Sequence, residues 1–237
     1  MILILMIRNW CFTVLLLAGI NSFGQQVVFR EDFEKPDFST IQPHLFTLNP
    51  YLPRKRQPYN LYADRKDSSY TDWYTDNRCH DSTVKQGFYT SIFLYDHGVP
   101  STREILAIRL DSGLSGGKTY RVSVEVLFHK YTKYRVDSIQ VLFLKTEKDA
   151  MNWLAGRNYS GEMIGLGLAQ VDNQYWKKIE NDFTIGSGYT LMLIGNLKRD
   201  DECKIIKANN CTCSPLPKRN YWDYSELLLD NIVITAF

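Results

Sequence analysis

Between Gln26 and Phe33 apolar and polar side chains trade places residue by residue. Val27, Phe29, Glu31 and Phe33 fall on one side, Val28, Arg30 and Asp32 on the other, and Pro36 stops the run. A period of two predicts a strand. From Pro36 to Lys85 the chain is polar and aromatic, and "NPYLPRKRQP" is too rich in proline for regular structure. Strands then follow in series. "FYTSIFLYDH" and "REILAIRLD" are two, the second closed by the turn signal "SGLSGGK". "TYRVSVEVLFHKY" puts Tyr120, Val122, Val124, Val126 and Phe128 on one face, and "VDSIQVLFLKT" does the same with Ile139, Val141 and Phe143. "EKDAMNWLAGRN" is the one convincing helical stretch. "WKKIENDFTIG" and "YTLMLIGNL" are further strands, and the second is apolar on both faces, which predicts a central position. The chain ends on "SELLLDNIVITAF". About eight short strands with glycine turns predict an all-β fold, an antiparallel jelly-roll β-sandwich with one short helical insertion.

The N-terminus changes the setting. "MILILMIRNWCFTVLLLAGINSFGQQ" has one positive charge at Arg8, an apolar run from Trp10 to Ile20, and small residues Ser22 and Gly24 before Gln25. These three regions predict a secretory signal over residues 1–24, with a single sandwich domain over 25–237. The apolar run is short for a membrane span of roughly 20 residues; an uncleaved anchor, lengthened by Ile2 to Ile7, is the other reading. No transmembrane segment is expected once the signal is removed. Its loss takes only Arg8 from 28 basic and 26 acidic residues, so the formal charge of +2 falls by one. A nearly neutral chain has no field with which to recruit nucleic acid.

Export also permits disulfides. Cys79, Cys203, Cys211 and Cys213 remain in the mature chain, and a local bridge from Cys203 to Cys211 or Cys213 is sterically easy across "CKIIKANNCTC". Free thiols are the second reading. A zinc site is the third, and Cys-x-Cys without a second pair supports it least.

The last strand raises a question of its own, because Asp230 and Asn231 interrupt an apolar run. An outer-membrane barrel strand ending on Phe237 would place Thr235, Val233, Asn231 and Leu229 towards lipid, and the preceding strands lack the alternation a barrel requires. The other reading is a closing strand laid against the first one. A buried aspartate is costly unless paired or coordinated. Asp230 with Glu31, Asp32 and Glu34 could offer hard oxygens to Ca²⁺, or Asp230 could bond nearby backbone amides.

The segments "REDFEKPD", "LSGGKTYRVSVEVLF" and "LLLDNIVI" resemble those of carbohydrate-binding-like jelly-roll modules (galactose-binding-like β-sandwiches). "GKTYRVSVEV", "KYRVDSIQVLF", "YWKKIENDFTIGSGYTLMLIGNL" and "LLLDNIVI" look most like a module of secreted and cell-surface proteins of Bacteroidetes. The usual Asn-Gly-Ser/Asp-Phe-Glu opening is replaced here by Arg-Glu-Asp-Phe-Glu. The resemblance implies a sandwich fold and a structural calcium where first and last strands meet, with Glu34 and Asp230 as its side-chain ligands.

No catalytic constellation accompanies this. His44, His80, His97 and His129 are scattered, and neither a nucleophile elbow nor a phosphate-cradling loop is present. The richer candidate is "YNLYADRKDSSYTDWYTDNRCHD", where Tyr59, Tyr62, Tyr70, Trp73 and Tyr74 mix with Asp64, Arg65, Asp72 and Asp76. Aromatic planes accept the apolar C–H faces of sugars while carboxylates and guanidinium groups bond the hydroxyls. Tyr70, Trp73 and Tyr74 are therefore the expected ligand platform; the alternative is that they pack beneath the loop. Arg54, Lys55 and Arg56 form a basic run, and Asn158 and Asn210 lie in glycosylation sequons. The expected function is an exported, non-catalytic module for a glycan or cell-envelope component, secreted, periplasmic or on the cell surface. A structural or adhesive subunit that binds protein, and a carbohydrate-active enzyme, are the rival classes.

Overall fold

A computed structural model of the chain describes residues 25–32, 45–48, 73–75, 88–97, 103–129, 132–207 and 224–237, with backbone alone at 45–48, 73–75, 88, 96, 111 and 200. The strands in chain order are β1 Gln26–Glu31, β2 Leu45–Leu48, β3 Trp73–Thr75, β4 Phe88–Asp96, β5 Ile105–Leu114, β6 Thr119–Phe128, β7 Tyr134–Val136 and β8 Ser138–Leu144. Helix α1 spans Glu147–Leu154, and β9 Gly161–Gly167, β10 Lys177–Thr184, β11 Tyr189–Gly195, β12 Ile205–Lys207 and β13 Tyr224–Ala236 complete the set. Sheet one runs β10-β6-β13-β4-β3 with β1 also on β13, and sheet two runs β2-β5-β11-β8-β9. All these pairings are antiparallel. The fold is an antiparallel jelly-roll β-sandwich with one helix.

Strand alternation supplies the core. Ile92 and Leu94 of β4, Val122, Val124 and Val126 of β6, and Leu227 and Leu229 of β13 face Ile139, Val141 and Phe143 of β8 and Met192 and Ile194 of β11. Each such side chain contributes roughly 1.5–3 kcal/mol when fully withdrawn from water. Strand β11 is central in its sheet, as its apolar run predicts. Its other face, Leu191 and Leu193, joins Ile105, Ala107, Leu142 and Leu144 beneath Ala150, Met151, Trp153 and Leu154 of α1 and its end. A turn after β5 reverses the chain on Gly116 and Gly117. Gly117 has φ +77°, and a Cβ on Gly116 would stand 2.9 Å from the Gly186 carbonyl oxygen.

The closing strand does lie against the first: Gln26 to Glu31 pair with Ala236 to Ile232. It is an interior strand, bonded to β6 along one edge and to β4 and then β1 along the other. Its alternation is not continuous, however. Asn231 adopts φ +45°, and the register with β6 slips between Asp230 and Val233. This bulge transfers the core row from Leu227 and Leu229 to Ile232 and Ile234. The row Leu229, Asn231, Val233, Thr235 expected from simple alternation is thus broken in its middle.

Short elements also arise where none is expected. β2 and β3 fall in the polar, aromatic stretch between Pro36 and Lys85, and β9 is a further strand not among those expected. Cys203 carries a free thiol, 3.2 Å from Asn196 Oδ1 and 3.1 Å from the Arg199 carbonyl, so the local bridge expected at this residue is not formed. Cys79, Cys211 and Cys213 lie outside the described residues.

Candidate functional site

The outward face of sheet one carries the chemistry. Alternation turns Tyr89, Ser91 and Phe93 of β4 away from the core, together with Leu127 of β6 and Glu226, Leu228 and Asp230 of β13. Ser91, Leu228 and Leu127 form one row across three strands. Tyr89, Leu127 and Leu228 cluster there, with Trp176 packed on them from the turn before β10. The Tyr89 and Trp176 rings meet edge-on, 5.6 Å between centroids, the arrangement that matches a positive ring edge to a negative face. Asp172 shapes this turn, its Oδ1 accepting from the amides of Gln174 at 2.8 Å and Tyr175 at 3.1 Å. Tyr175 is thereby presented 55% exposed beside Trp176.

Polar groups flank the apolar patch on both sides. Towards one end, Glu226 is registered with Phe93, and its carboxylate lies 3.6 Å from His129 Nδ1. Thr132 secures the same residue, its hydroxyl donating to the Glu226 carbonyl at 3.1 Å and accepting from the Glu226 amide at 3.2 Å. Tyr224 packs edge-on against Phe93 at 4.9 Å. Burial, and next the charge of Glu226, push the Tyr224 phenol well above its ordinary value. Towards the other end, Asp230 is only 3% exposed and stands opposite Glu125. Its Oδ1 accepts from the Asn231 amide at 2.6 Å, while Asn231 Nδ2 lies 3.3 Å from Asp230 Oδ2 and 3.1 Å from Glu125 Oε2. The carboxylate in the apolar run therefore belongs to the sheet's outward face, held by the bulge residue beside it.

Of the expected platform, Trp73 and Tyr74 sit in edge strand β3 rather than in an irregular loop, with Trp73 in register with Thr90 and Tyr74 with Tyr89. Tyr74 thus joins the edge of the sheet that carries the Tyr89 cluster. Tyr70 and Glu34 lie outside the described residues. Among the described residues no three His, Cys, Asp or Glu side chains gather to hold a metal ion. Sequence reasoning missed Tyr89, Trp176, Glu125, His129 and Glu226. The alternation Tyr89, Ser91, Phe93 against Ile92 and Leu94 carried part of that signal, and the Asp-Asn step inside β13 carried another.

No family model and no curated protein matches this chain. Solved structures with a similar course include the CBM22-1–GH10 modules of Clostridium thermocellum endo-1,4-beta-D-xylanase 10B complexed with xylohexaose, at 12% identity and TM-score 0.47 over 90% of this chain and 29% of that one. The chain therefore spans under a third of that protein. The CBM22-1 xylan-binding domain of Paenibacillus barcinonensis Xyn10C is similar at 10% identity and TM-score 0.45, over 90% of this chain and 96% of the domain. A cleaved adhesin domain of Lys-gingipain from Porphyromonas gingivalis is similar at 14% identity and TM-score 0.39, over 88% and 99%.

Proposed function

We propose that this chain is a non-catalytic binding module for a glycan or other cell-envelope component, and that it binds on the outward face of sheet one. The observation that carries this reading is the Tyr89–Trp176 ring pair between two polar groups, Glu226 with His129 and Asp230 with Glu125 and Asn231. Ring faces take the apolar side of a sugar, the buried carboxylates of Glu226 and Asp230 fix the flanks from below, and the half-buried Glu125 is the carboxylate placed to take a hydroxyl. Trp176 and Tyr175 form the accessible rim and Tyr89, Leu127 and Leu228 the floor, and β3, with Tyr74 in register with Tyr89, runs along the edge of this sheet. The spacing of Glu226 and Asp230, four residues apart on one strand, is about 13 Å at strand rise. That spacing leaves the two flanks separate, one on each side of the rings.

Two features of the setting belong to the same reading. The chain is exported through the signal over 1–24, which lies outside the described residues, and it works at the cell surface or in the periplasm as a module of the Bacteroidetes type. Among the described residues no helix is long and apolar enough to cross a membrane. A structural Ca²⁺ bound by Glu34 and Asp230 is the second feature. The opposed carboxylates of Asp230, which is buried, and Glu125, which is half-buried, suit a hard cation. A melting temperature lowered by chelator and restored by Ca²⁺ supports the site, whereas an unchanged one dismisses it.

Affinity electrophoresis of the mature chain against a panel of neutral plant and bacterial polysaccharides tests the main proposal. Trp176→Ala should weaken retention about tenfold or more, as loss of a central aromatic contact does, with Tyr74→Ala and Trp73→Ala acting in the same direction. Absence of retention by every polysaccharide would favour the adhesive, protein-binding class instead.

A further inference from the structure

The end of the sandwich beyond β4 gathers a second set of rings and cations. His97 follows β4, Tyr134 opens β7 and Lys207 closes β12. The exposed His97 ring stacks on Tyr134 at 4.9 Å and 29°, while Tyr95 meets Tyr134 edge-on at 5.9 Å. Lys133 Nζ stands 5.7 Å from the Tyr134 centroid. Lys207 is registered directly opposite Tyr134, and such cross-strand neighbours have Cβ atoms about 4.5–5.5 Å apart. The single hydrogen bond His97 makes among the described residues joins its Nδ1 to the Tyr95 hydroxyl at 3.3 Å. Nε2 of His97, the hydroxyl of Tyr134 and Nζ of Lys207 therefore have no partner among the described residues.

We infer that this corner is a second ligand site, built for an acidic sugar unit such as a uronate residue of a polysaccharide. The stacked pair offers one outer ring face to the apolar side of a pyranose. Lys207, with Lys133 beside it, places positive charge where a carboxylate on that ring would lie, and the Tyr134 hydroxyl and His97 Nε2 reach the remaining oxygens. Charge-assisted contacts of this type are the stronger kind and fix orientation. A bare phosphate or sulfate would use the lysines but leave the rings idle, so the rings select for a sugar. The site uses none of the residues on the outward face of sheet one and stands independently of the function proposed there.

The test is affinity electrophoresis and titration calorimetry of the mature chain with polygalacturonate and its oligomers, with neutral xylan and dextran sulfate run in parallel. Polygalacturonate should retard the protein. His97→Ala and Tyr134→Ala should each weaken that binding about tenfold, Lys207→Ala similarly, and Trp176→Ala should leave it unchanged. His97 is exposed, so its removal reads the site without disturbing the core, and a melting curve on each variant checks this. Neutral-glycan retention through sheet one should survive all three corner variants. No retardation by polygalacturonate would overturn the inference. So would dextran sulfate binding equally well, or binding that depends on Lys207 while ignoring His97 and Tyr134, because either result describes charge without ring recognition.

Discussion

The two outer faces of the sandwich are built by the same alternation and end up chemically opposite. On sheet two the outward row is Ile105, Ala107, Leu142, Leu144, Leu191 and Leu193, and α1 closes over it. Its charged neighbour Arg109 is taken by Glu147 of the helix itself, with Nε donating at 2.7 Å. On sheet one the outward row mixes Tyr89, Leu127 and Leu228 with Glu226, Asp230 and Ser91. Buried carboxylates lower stability unless they are satisfied, and here Asn231 donates to Asp230 while His129 stands 3.6 Å from the Glu226 carboxylate. A face meant only for burial has no use for such groups. The helix-covered face is thus the structural side, and the mixed face is the one to which binding is proposed.

The sharpest attempt to break this division is a cavity under the helix. Leu142→Ala should lower the unfolding free energy by about 2–5 kcal/mol, the range for buried leucine truncation, while folded protein binds glycan unchanged. Urea denaturation read beside affinity electrophoresis decides it; loss of binding by a folded variant would mean the faces are coupled. A smaller effect is expected from Asn231→Ala. It removes the amide shared by Asp230 and Glu125 and leaves an alanine at φ +45°. About 1–3 kcal/mol should be lost, the cost of leaving buried acceptors unsatisfied. Asn231→Gly keeps the backbone conformation and still loses the amide, so the difference between the two variants isolates the backbone part.

At the helix the expected change is smaller again. Thr146 and Asp149 form a capping box, with the Asp149 amide donating to Thr146 Oγ1 at 3.2 Å and the Thr146 amide to Asp149 Oδ2 at 3.1 Å. Thr146→Ala should cost about 1 kcal/mol. The Thr146 hydroxyl first, and the amides of Ser160 and Thr146 after it, hold the Asp149 carboxyl below its usual range. Its stabilising contribution is present above the ordinary carboxylate range and is lost as pH falls through the lowered value. A shallower acid limb in the thermal-melt profile of Asp149→Asn checks this.

The helix and the strong strands were legible in the sequence, because each rests on local periodicity, and the pairing of first with last strand was one of two readings of the final strand. The failures are physical too. β9, with three glycines among its seven residues, carries no strand signal, and Gly161 is small because a Cβ there would lie 2.6 Å from Leu144 Cδ2 and 2.7 Å from the Phe143 carbonyl oxygen. β2 and β3 are edge strands of four and three residues, too short to show a period. The functional face was only partly legible. Trp73 and Tyr74 lead to its edge, but Tyr89, Trp176, Glu125 and Glu226 meet through strand order, and one sequence does not state which strands are neighbours.

Tyr224 gives the finest probe of the mixed face, because its effect is silent at neutral pH. Burial first and the Glu226 charge second raise its phenol above the ordinary 10.0. An acid whose folded value is raised stabilises the fold in its protonated form. That contribution is complete below the ordinary value, because neither state has then ionised. It declines as pH climbs past about 10, where the unfolded chain releases a proton that the folded one retains. Tyr224→Phe has no proton to release, so its stability should fall less steeply on the alkaline side while matching the native chain at neutral pH. Glu226→Gln should lie between them, since it removes the charge and leaves the burial. Equal alkaline slopes for all three would show that Glu226 and Tyr224 do not share an environment, and would move the acidic flank away from Phe93 and His129.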